Sequence, residues 1–258
     1  MRYKEYTVRY NTGRLIIVTD IHNCHCVWHG ASNEERMELL CESLREEYQK
    51  RPYDAIISLG DYSLDYWAFN EGGSCLWDVP VSRTAEFVKK YVPLMPTEFF
   101  MIPGNHEQYG MKAWESITGR PREYLIRYGK HTVAMLDTFA GGLDPSENHD
   151  GCYTGINTGL LLQALQTGED VILCAHDICP DKESEAARGA VCNNPCIKCA
   201  FAGHTHRDNT VILPKSWREM PVFYCGDFSY STLCEGRNWG YRRLELSTFA
   251  VRTEYVRV

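Results

Sequence analysis

The chain has 258 residues, of which 44% are apolar and 24% are charged. These proportions are typical of a globular protein and exclude a disordered or fibrous one. The formal net charge is -7 at pH 7, and no block of Lys and Arg occurs, which argues against a dedicated nucleic-acid binder. The sequence has no run of about 18–20 apolar residues, so we expect no membrane span.

The chain is expected to be cytoplasmic, because its first residues, MRYKEYTVRY, lack the apolar core of about 7–15 residues found in secretory signals. Its twelve cysteines should then be mostly reduced, and a chain of this length does not need a disulfide framework. Neither a linker nor an internal repeat is evident. We therefore predict a single domain over residues 1–258.

The first predicted elements are a strand and a long helix. Residues 14–19 form a short β-branched run that stops at a polar cluster. Apolar residues then recur at helical spacing, at Met37, Leu40, Cys41, Leu44 and Tyr48. Ser32 or Asn33 is the expected N-cap of this helix.

An apolar strand followed by polar residues then recurs along the chain. Strands are predicted at 54–59, 98–102, 171–175 and 199–202, and a second helix at 83–92. The five strands end on Asp, Asn or His clusters: Asp20 and His22, Asp61, Asn105 and His106, His176, and His204 and His206. Ligands of open α/β sheets bind outside the carboxyl ends of the strands, so we expect these side chains to form one site.

Two further segments indicate a second sheet. Residues 124–137 and 221–258 alternate more strongly and contain Gly and Asp turns, a pattern that favours antiparallel strands. We therefore expect two sheets, with the helices packed on their outer faces.

The strand-end groups suit a two-metal centre. Imidazole and carboxylate ligands favour Mn, Fe, Zn or Co over Ca, and Asp61 is the natural carboxylate to bridge two ions. Two divalent ions bring four positive charges, whereas Asp20, Asp61 and a bridging hydroxide bring three negative ones. Such an electropositive centre attracts an anionic tetrahedral substrate. A metal ion also lowers the pKa of bound water to about 7, which supplies a hydroxide nucleophile. Small phosphate esters are the expected substrate class.

The same residues carry a family resemblance. The series Asp20-Ile-His22, Gly60-Asp61, Gly104-Asn105-His106-Glu107, His176 and Gly203-His204-Thr205-His206 resembles the five-block signature of calcineurin-like metallophosphoesterases. The resemblance spans nearly the whole chain and implies an α/β fold, a four-layer α/β/β/α sandwich of two mixed β-sheets flanked by helices.

The resemblance also implies roles for these residues. One divalent transition-metal ion would be held by Asp20, His22, Asp61 and His206, and a second by Asp61, Asn105, His176 and His204. His106 would lie just outside the ligands and protonate the leaving-group oxygen, a step worth roughly 10²–10⁴-fold. A hydroxide that bridges the two ions would attack the phosphorus atom.

The sequence departs from several subfamily patterns. Leu64 and Asp65 stand where Ser/Thr protein phosphatases have an acidic residue and an arginine, which leaves open the carboxylate partner of the catalytic histidine. The first block is Asp-Ile-His rather than Asp-x-Gly, and no Tyr stands three residues after Asp61, so the purple acid phosphatase pattern fails. No subfamily is assigned.

Other residues near these blocks allow both a functional and a structural interpretation. Glu107 either orients a neighbouring ligand or caps the next segment, and Asp65 is a second candidate for such a contact outside the ligands. His25 either lines the mouth of the site or belongs to a polar loop, and the loop is favoured. The cysteines at 24, 26, 192, 196 and 199 suggest zinc or redox chemistry, but their spacing favours structural thiols.

Aromatic residues follow the bridging aspartate. Tyr62 and Trp67 could form a wall on which a nucleobase or another flat leaving group stacks, although core packing is the commoner use of such residues.

The sequence therefore predicts a dinuclear phosphomonoesterase or phosphodiesterase. The alternatives are a non-catalytic interaction module on the same fold and a metal-dependent nuclease, which the acidic net charge disfavours.

Overall fold

A computed structural model describes residues 2–64, 82–143, 150–230, 236–247 and 250–258. Its strands are β1 Glu5–Val8, β2 Arg14–Val18, β3 Ala55–Ser58, β4 Phe99–Met101, β5 Tyr124–Tyr128, β6 His131–Leu136, β7 Asp170–Ala175, β8 Ile197–Ala202, β9 Thr210–Ile212, β10 Pro221–Tyr224, β11 Gly240–Leu246 and β12 Val251–Arg257. Its α-helices are α1 Asn33–Lys50, α2 Arg83–Lys90, α3 Met111–Thr118, α4 Thr158–Leu165 and α5 Glu185–Asn193. Short 3₁₀ helices span Val92–Leu94, Pro180–Lys182 and Lys215–Trp217.

The strands form two mixed sheets. A seven-stranded sheet has the order β1-β5-β6-β7-β8-β10-β9, and a five-stranded sheet has the order β12-β11-β2-β3-β4. Strands β6, β7, β8 and β10 run parallel to one another, as do β2, β3 and β4. The carboxyl ends of five of these strands, β2, β3, β4, β7 and β8, carry the polar clusters identified in the sequence.

The inner faces of the two sheets form one continuous core. Leu15 and Ile17 of β2 belong to the same buried cluster as Met135 of β6 and Phe201 of β8. The alternate residues of β2 face the other way: Ile16 packs in the cluster that contains residues of α1 and α2. Residues of α4 and α5 pack on the outer face of the seven-stranded sheet. The chain is thus an α/β protein with two mixed sheets flanked by helices, as predicted.

Helix α1 begins with a capping box. The Ser32 hydroxyl accepts a hydrogen bond from the backbone N–H of Glu35, and the Glu35 carboxylate accepts one from the N–H of Ser32. This reciprocal pair satisfies two N–H groups that the first turn of a helix leaves without partners. Of the two predicted caps, Ser32 is the one that the structure uses.

The predicted division of the strands between the sheets was wrong. Strands β5, β6 and β10, from the alternating segments, share the seven-stranded sheet with β7 and β8, whereas β11 pairs antiparallel with β2 in the other sheet. Alternation reports that a strand has one wetter face, but it does not report which strand lies beside it. The five strands that end on polar clusters therefore come from both sheets.

Several short elements were not predicted, because they are too short to show a clear hydrophobic periodicity in the sequence. These are β1, β9, α3, α4 and α5, none of which exceeds nine residues. In the described part of the chain, no helix combines the length and apolar character needed to cross a membrane.

Adjacent leucines of α4 offer a test of this packing. Leu161 is fully buried against the seven-stranded sheet, whereas the neighbouring Leu162 is 54% exposed. We expect Leu161→Ala to lower the free energy of unfolding by about 2–5 kcal/mol, because it removes buried methyl groups and leaves a cavity. The matched Leu162→Ala should change it by less than about 0.5 kcal/mol. Urea unfolding followed by circular dichroism measures both, and equal effects would contradict the placement of α4.

Candidate metal centre

The carboxyl ends of strands from both sheets meet at one place. Strands β2, β3 and β4 lead to Asp20 and His22, Asp61, and Asn105 and His106, whereas β7 and β8 lead to His176, His204 and His206. All of these residues are buried except His204, which is exposed. His204 therefore marks the side from which solvent reaches the cluster.

Five of these residues have left-handed backbone conformations. The φ angles are 51° for Asp20, 45° for His22, 56° for Asp61, 63° for His204 and 56° for His206. Each such conformation costs a non-glycine residue about 1–2 kcal/mol, so the surrounding structure must compensate. Hydrogen bonds between the loops do so: the N–H of Asp20 donates to the carbonyl of Gly60, and that of His22 to the carbonyl of Asp61.

Glycines allow the loops to approach this closely. A Cβ on Gly60 would lie 2.4 Å from the backbone nitrogen of Gly104, and one on Gly104 would lie 2.1 Å from Oδ1 of Asp61. Gly60 also has a φ of +107°, which L residues rarely adopt. The glycines that precede Asp61 and Asn105 are therefore required by the packing of the site.

One group of side chains gathers around Asp20. Its Oδ1 lies 3.2 Å from Nε2 of His206 and 3.8 Å from Nε2 of His22. Its Oδ2 accepts hydrogen bonds from the Thr19 hydroxyl and from the backbone N–H of His204. The carboxylate is thus held by one oxygen, and the other oxygen faces the two imidazoles.

A second group gathers around Asp61. Its Oδ2 lies 3.2 Å from Nε2 of His176, 3.7 Å from Nε2 of His22 and 3.6 Å from Nε2 of His106. The amide oxygen of Asn105 lies 2.8 Å from Nε2 of His176 and 3.0 Å from Nδ1 of His204. Asp61 therefore lies between the group around Asp20 and the group around Asn105.

The pKa shifts show that both carboxylates are ionised. Burial opposes ionisation, but the electrostatic attraction of the surrounding histidines outweighs it and holds the pKa of Asp61 below its ordinary value. His206 has the same effect on the pKa of Asp20, again against burial. Burial also disfavours a charged His176, yet Asp61 raises the pKa of that imidazole to about 10. The buried cluster therefore attracts positive charge.

The donor set fits divalent transition-metal ions. Three groups of potential ligand atoms, each within 4.8 Å of one another, are Asp20, His22 and His206; His22, Asp61 and His106; and Asp61, His176 and His204. Neither ring nitrogen of the buried His22 makes a hydrogen bond to any described residue, which is unusual for a buried polar group. An ion that accepts an imidazole lone pair would give one of these two nitrogens a partner.

His106 lies at the edge of the cluster. Its Nε2 faces Asp61, and its Nδ1 lies 4.0 Å from Oδ1 of Asp150. The Asp150 carboxylate also accepts a hydrogen bond from the side-chain amide of Asn105, and the next residue, Gly151, donates its N–H to the carbonyl of Asn105. Burial lowers the pKa of His106 to about 4, so the free imidazole is neutral.

Glu107 organises the backbone around Asp61. Its carboxylate accepts hydrogen bonds from the N–H groups of Asp61, Tyr62 and Gly104. Burial and the charge of Asp61 raise the pKa of Glu107 to about 8, and the N–H donors oppose this shift. The sequence left two interpretations of Glu107 open, and these contacts favour the one in which it orients a neighbouring candidate ligand over the one in which it caps the next segment.

Two carboxylates beside the cluster were missed in the sequence. Asp150 faces His106, and Asp227 is fully buried with Oδ2 3.6 Å from Nδ1 of His206. The Ser229 hydroxyl lies 3.4 Å from the same nitrogen of His206. Neither carboxylate follows one of the five strands that drew attention to the other residues, so only the folded chain reveals their positions.

The predicted substrate wall is wrong at Tyr62. This side chain is fully buried, donates to the carbonyls of Ser58 and Ile102, and stacks on Phe87 in the core. Tyr62 therefore cannot contact a substrate. Asp65 and Trp67 lie outside the described residues. His25 is exposed, and its Nδ1 lies 3.3 Å from Nη2 of Arg83.

The cysteines are free thiols in the described part of the chain. Cys199 is buried between the sheets, where burial raises the pKa of its thiol to about 12. The thiol of Cys192 donates to the carbonyl of Ser216. The three groups of potential metal ligands found among the described residues contain no cysteine. These observations agree with structural thiols.

The contacts of Glu107 lead to a stability prediction. Glu107→Gln replaces one acceptor oxygen with an NH₂ group and leaves a buried backbone N–H without a partner, so we expect a loss of about 1–3 kcal/mol in the free energy of unfolding. Denaturant titration of the metal-free protein measures this loss. Glu115→Gln, at an exposed position of α3, serves as the control and should change stability by less than about 0.5 kcal/mol. An unchanged Glu107→Gln would contradict the assigned contacts.

A known family model matches most of the chain. The family model described as calcineurin-like phosphoesterase matches residues 13–208. No curated protein matches the sequence significantly.

Solved structures with similar folds share little sequence with this chain. GAP50, the anchor in the inner membrane complex of Plasmodium, is 13% identical with a TM-score of 0.53, over 95% of this chain and 84% of that one. Purple acid phosphatase PPD1 from yellow lupin seeds is 13% identical with a TM-score of 0.54, over 94% of this chain and 51% of that one. Zinc-complexed Vps29 from Entamoeba histolytica is 12% identical with a TM-score of 0.41, and the alignment covers 94% of this chain and 98% of that one. Because the identities are so low, the similarities to GAP50 and to the purple acid phosphatase show a shared fold and nothing more.

Proposed function

This chain belongs to the calcineurin-like phosphoesterase family, and from that premise we propose that it is a dinuclear metal-dependent hydrolase of a phosphomonoester or phosphodiester. The observation that carries the proposal is the meeting of two ionised, buried carboxylates with an amide and imidazoles at the joined strand ends. A buried site of this composition is costly to maintain without a cationic partner.

We assign the ligands from these contacts. Asp20, His22, Asp61 and His206 would hold one divalent ion, and Asp61, Asn105, His176 and His204 would hold the other. When bound, such ions supply an activated water and polarise the phosphoryl oxygens. Mn, Fe, Zn and Co all suit this donor set.

The chain's own residues would orient the ligands. The Nδ1 of His176 donates to the carbonyl of Leu59 at 2.9 Å, so Nε2, which faces Asp61, would be the ligand atom once an ion displaces its proton. Asp227, whose Oδ2 lies 3.6 Å from Nδ1 of His206, would attract the proton to that nitrogen and so favour Nε2 as the ligand atom. Partners of this kind fix the tautomer and the ring orientation of an imidazole ligand.

His106 would protonate the leaving-group oxygen. Its pKa of about 4 in the free site reflects burial, and a phosphate anion bound beside it would raise this pKa, because an opposite charge favours the protonated imidazole. His106 would therefore take up its proton together with the substrate. The exposed His204 lies on the side from which the ester enters.

A non-catalytic role is the main alternative. GAP50, which has a similar fold, is described as the anchor in the inner membrane complex of Plasmodium. In this chain all the predicted ligands are present, and a scaffold would have no need of two buried carboxylates or of His106.

The decisive experiment compares His106→Ala with the wild type. After reconstitution with Mn, Fe, Zn or Co, the wild type should hydrolyse 4-nitrophenyl phosphate or bis(4-nitrophenyl) phosphate. With an alkyl ester of the preferred class, His106→Ala should lower kcat by roughly 10²–10⁴-fold, because an alkoxide leaves poorly without a proton. With the nitrophenyl ester the loss should be smaller, because nitrophenolate is a better leaving group.

The exposed histidine His29 provides the matched control, as His29→Asn. Asparagine tolerates the φ of 49° at this position, so the variant should keep wild-type turnover. A wild type that binds two ions but hydrolyses neither ester class would refute the proposed activity. Full turnover by His106→Ala would refute the role of His106.

A second prediction concerns Asp227. We expect Asp227→Asn to weaken metal binding roughly 10–100-fold, because His206 loses the carboxylate beside Nδ1. Competition with a chromophoric chelator measures this affinity. Asp208→Asn removes a carboxylate that pairs with Arg257 at the surface and should leave metal affinity unchanged. Equal affinities in all three proteins would contradict the assignment of Asp227.

A further inference from the structure

Two aromatic side chains that the sequence did not single out as substrate contacts stand beside the metal ligands. The ring centre of Tyr230 lies 4.5 Å from that of His206 and 5.4 Å from that of His22. The Trp28 ring lies 5.3 Å from Tyr230 and 6.2 Å from His22. Trp28 and Tyr230, which we call the aromatic corner, are both half-buried, so part of each ring remains accessible.

One ring of the aromatic corner, Trp28, packs against an arginine. The Arg36 guanidinium lies 4.4 Å from the Trp28 ring centre and covers one face of the indole. The same guanidinium donates to the carbonyls of Ile21, His22 and Phe228, so its N–H groups serve the backbone of the ligand loops. Arg36 therefore packs against Trp28, and its guanidinium donates to these carbonyls rather than to a substrate phosphate.

The backbone beside Tyr230 is fixed as well. The N–H of Phe228 donates to the carbonyl of Asp20, and the indole N–H of Trp239 donates to the carbonyl of Ser229 at 2.7 Å. The first bond joins the segment that precedes Tyr230 to a candidate ligand loop, and the second joins that segment to Trp239. A ring held in this way loses little conformational freedom when a ligand binds.

We propose that the aromatic corner of Trp28 and Tyr230 binds a flat aromatic group, such as a nucleobase, of the phosphoester whose phosphate lies at the metal centre. This inference rests on the proposed function and names its substrate class. The two rings meet at 66°, so a flat group stacked on one ring meets the other edge-on. Both arrangements are favourable for aromatic pairs.

The position of the corner beside the candidate ligands also supports this role. Tyr230 adjoins His22 and His206, so a phosphate at these imidazoles brings its ester substituent next to the rings. Aromatic rings at this place would stack on a planar group such as a nucleobase, because every base presents a π-face.

The test compares two ligands that differ only in the base. Adenosine 5′-monophosphate and ribose 5-phosphate carry the same phosphate on the same sugar, so the ratio of their dissociation constants isolates the base. Titration calorimetry on metal-loaded His106→Ala avoids consumption of the ligands. We expect the nucleotide to bind about tenfold more tightly, a typical gain from stacking on an aromatic side chain.

Variants in the same background locate the effect. Tyr230→Leu and Trp28→Leu should each bring the ratio towards one while the affinity for ribose 5-phosphate stays within about twofold. Tyr230→Phe retains the ring and should retain the ratio. The control Tyr10→Leu changes a 44% exposed tyrosine that precedes the start of β2, away from the metal centre, and should also retain it.

The outcomes separate this inference from the proposed function. Equal affinities for the two ligands in the parent protein, or an unchanged ratio in both leucine variants, would overturn the aromatic corner as a binding site. The absence of ester hydrolysis by the wild type would overturn the proposed activity, whereas a base-dependent affinity that Tyr230→Leu abolishes would still support the corner.

Discussion

Two carboxylates, Asp20 and Asp61, are buried where the strands of two sheets end, and both are ionised. An ionised carboxylate in such a place costs several kcal/mol unless it is paired. The surrounding imidazoles offset part of this cost. Backbone N–H groups that donate to Asp20 Oδ2 and Asp61 Oδ1 offset a further part. The rest of the site can be understood as what is needed to keep these two charges together and available to cations.

The fold satisfies that need through backbone geometry. Parallel strands from both sheets bring their carboxyl ends to one place, and left-handed turns at five of the candidate ligands aim the side chains inward. Such turns are strained, and the backbone bonds between loops, together with Glu107, hold them. Strain of this kind is found where function requires a fixed arrangement, and here it falls mainly on the candidate ligands.

The sequence predicted those parts that depend on local pattern. Strand β2 ends near Asp20 because an apolar run meets polar residues, and α1 begins after Ser32 because a Ser and a Glu three residues apart form a capping box. Tyr62 was misplaced because a residue that follows a ligand can point into the core as easily as into the site. Asp227 and Trp28 gave no signal, because their positions beside His206 and His22 depend on loops that only the tertiary structure brings together.

The number of transition-metal ions bound per chain tests the central claim most directly. Elemental analysis of protein saturated with Mn or Zn and freed of excess metal should give two ions per chain for the wild type. Asp61→Ala, which removes the carboxylate between the two groups of ligands, should retain one ion or none. A wild type that retains no metal would contradict the account, because the candidate ligands would then bind no ion.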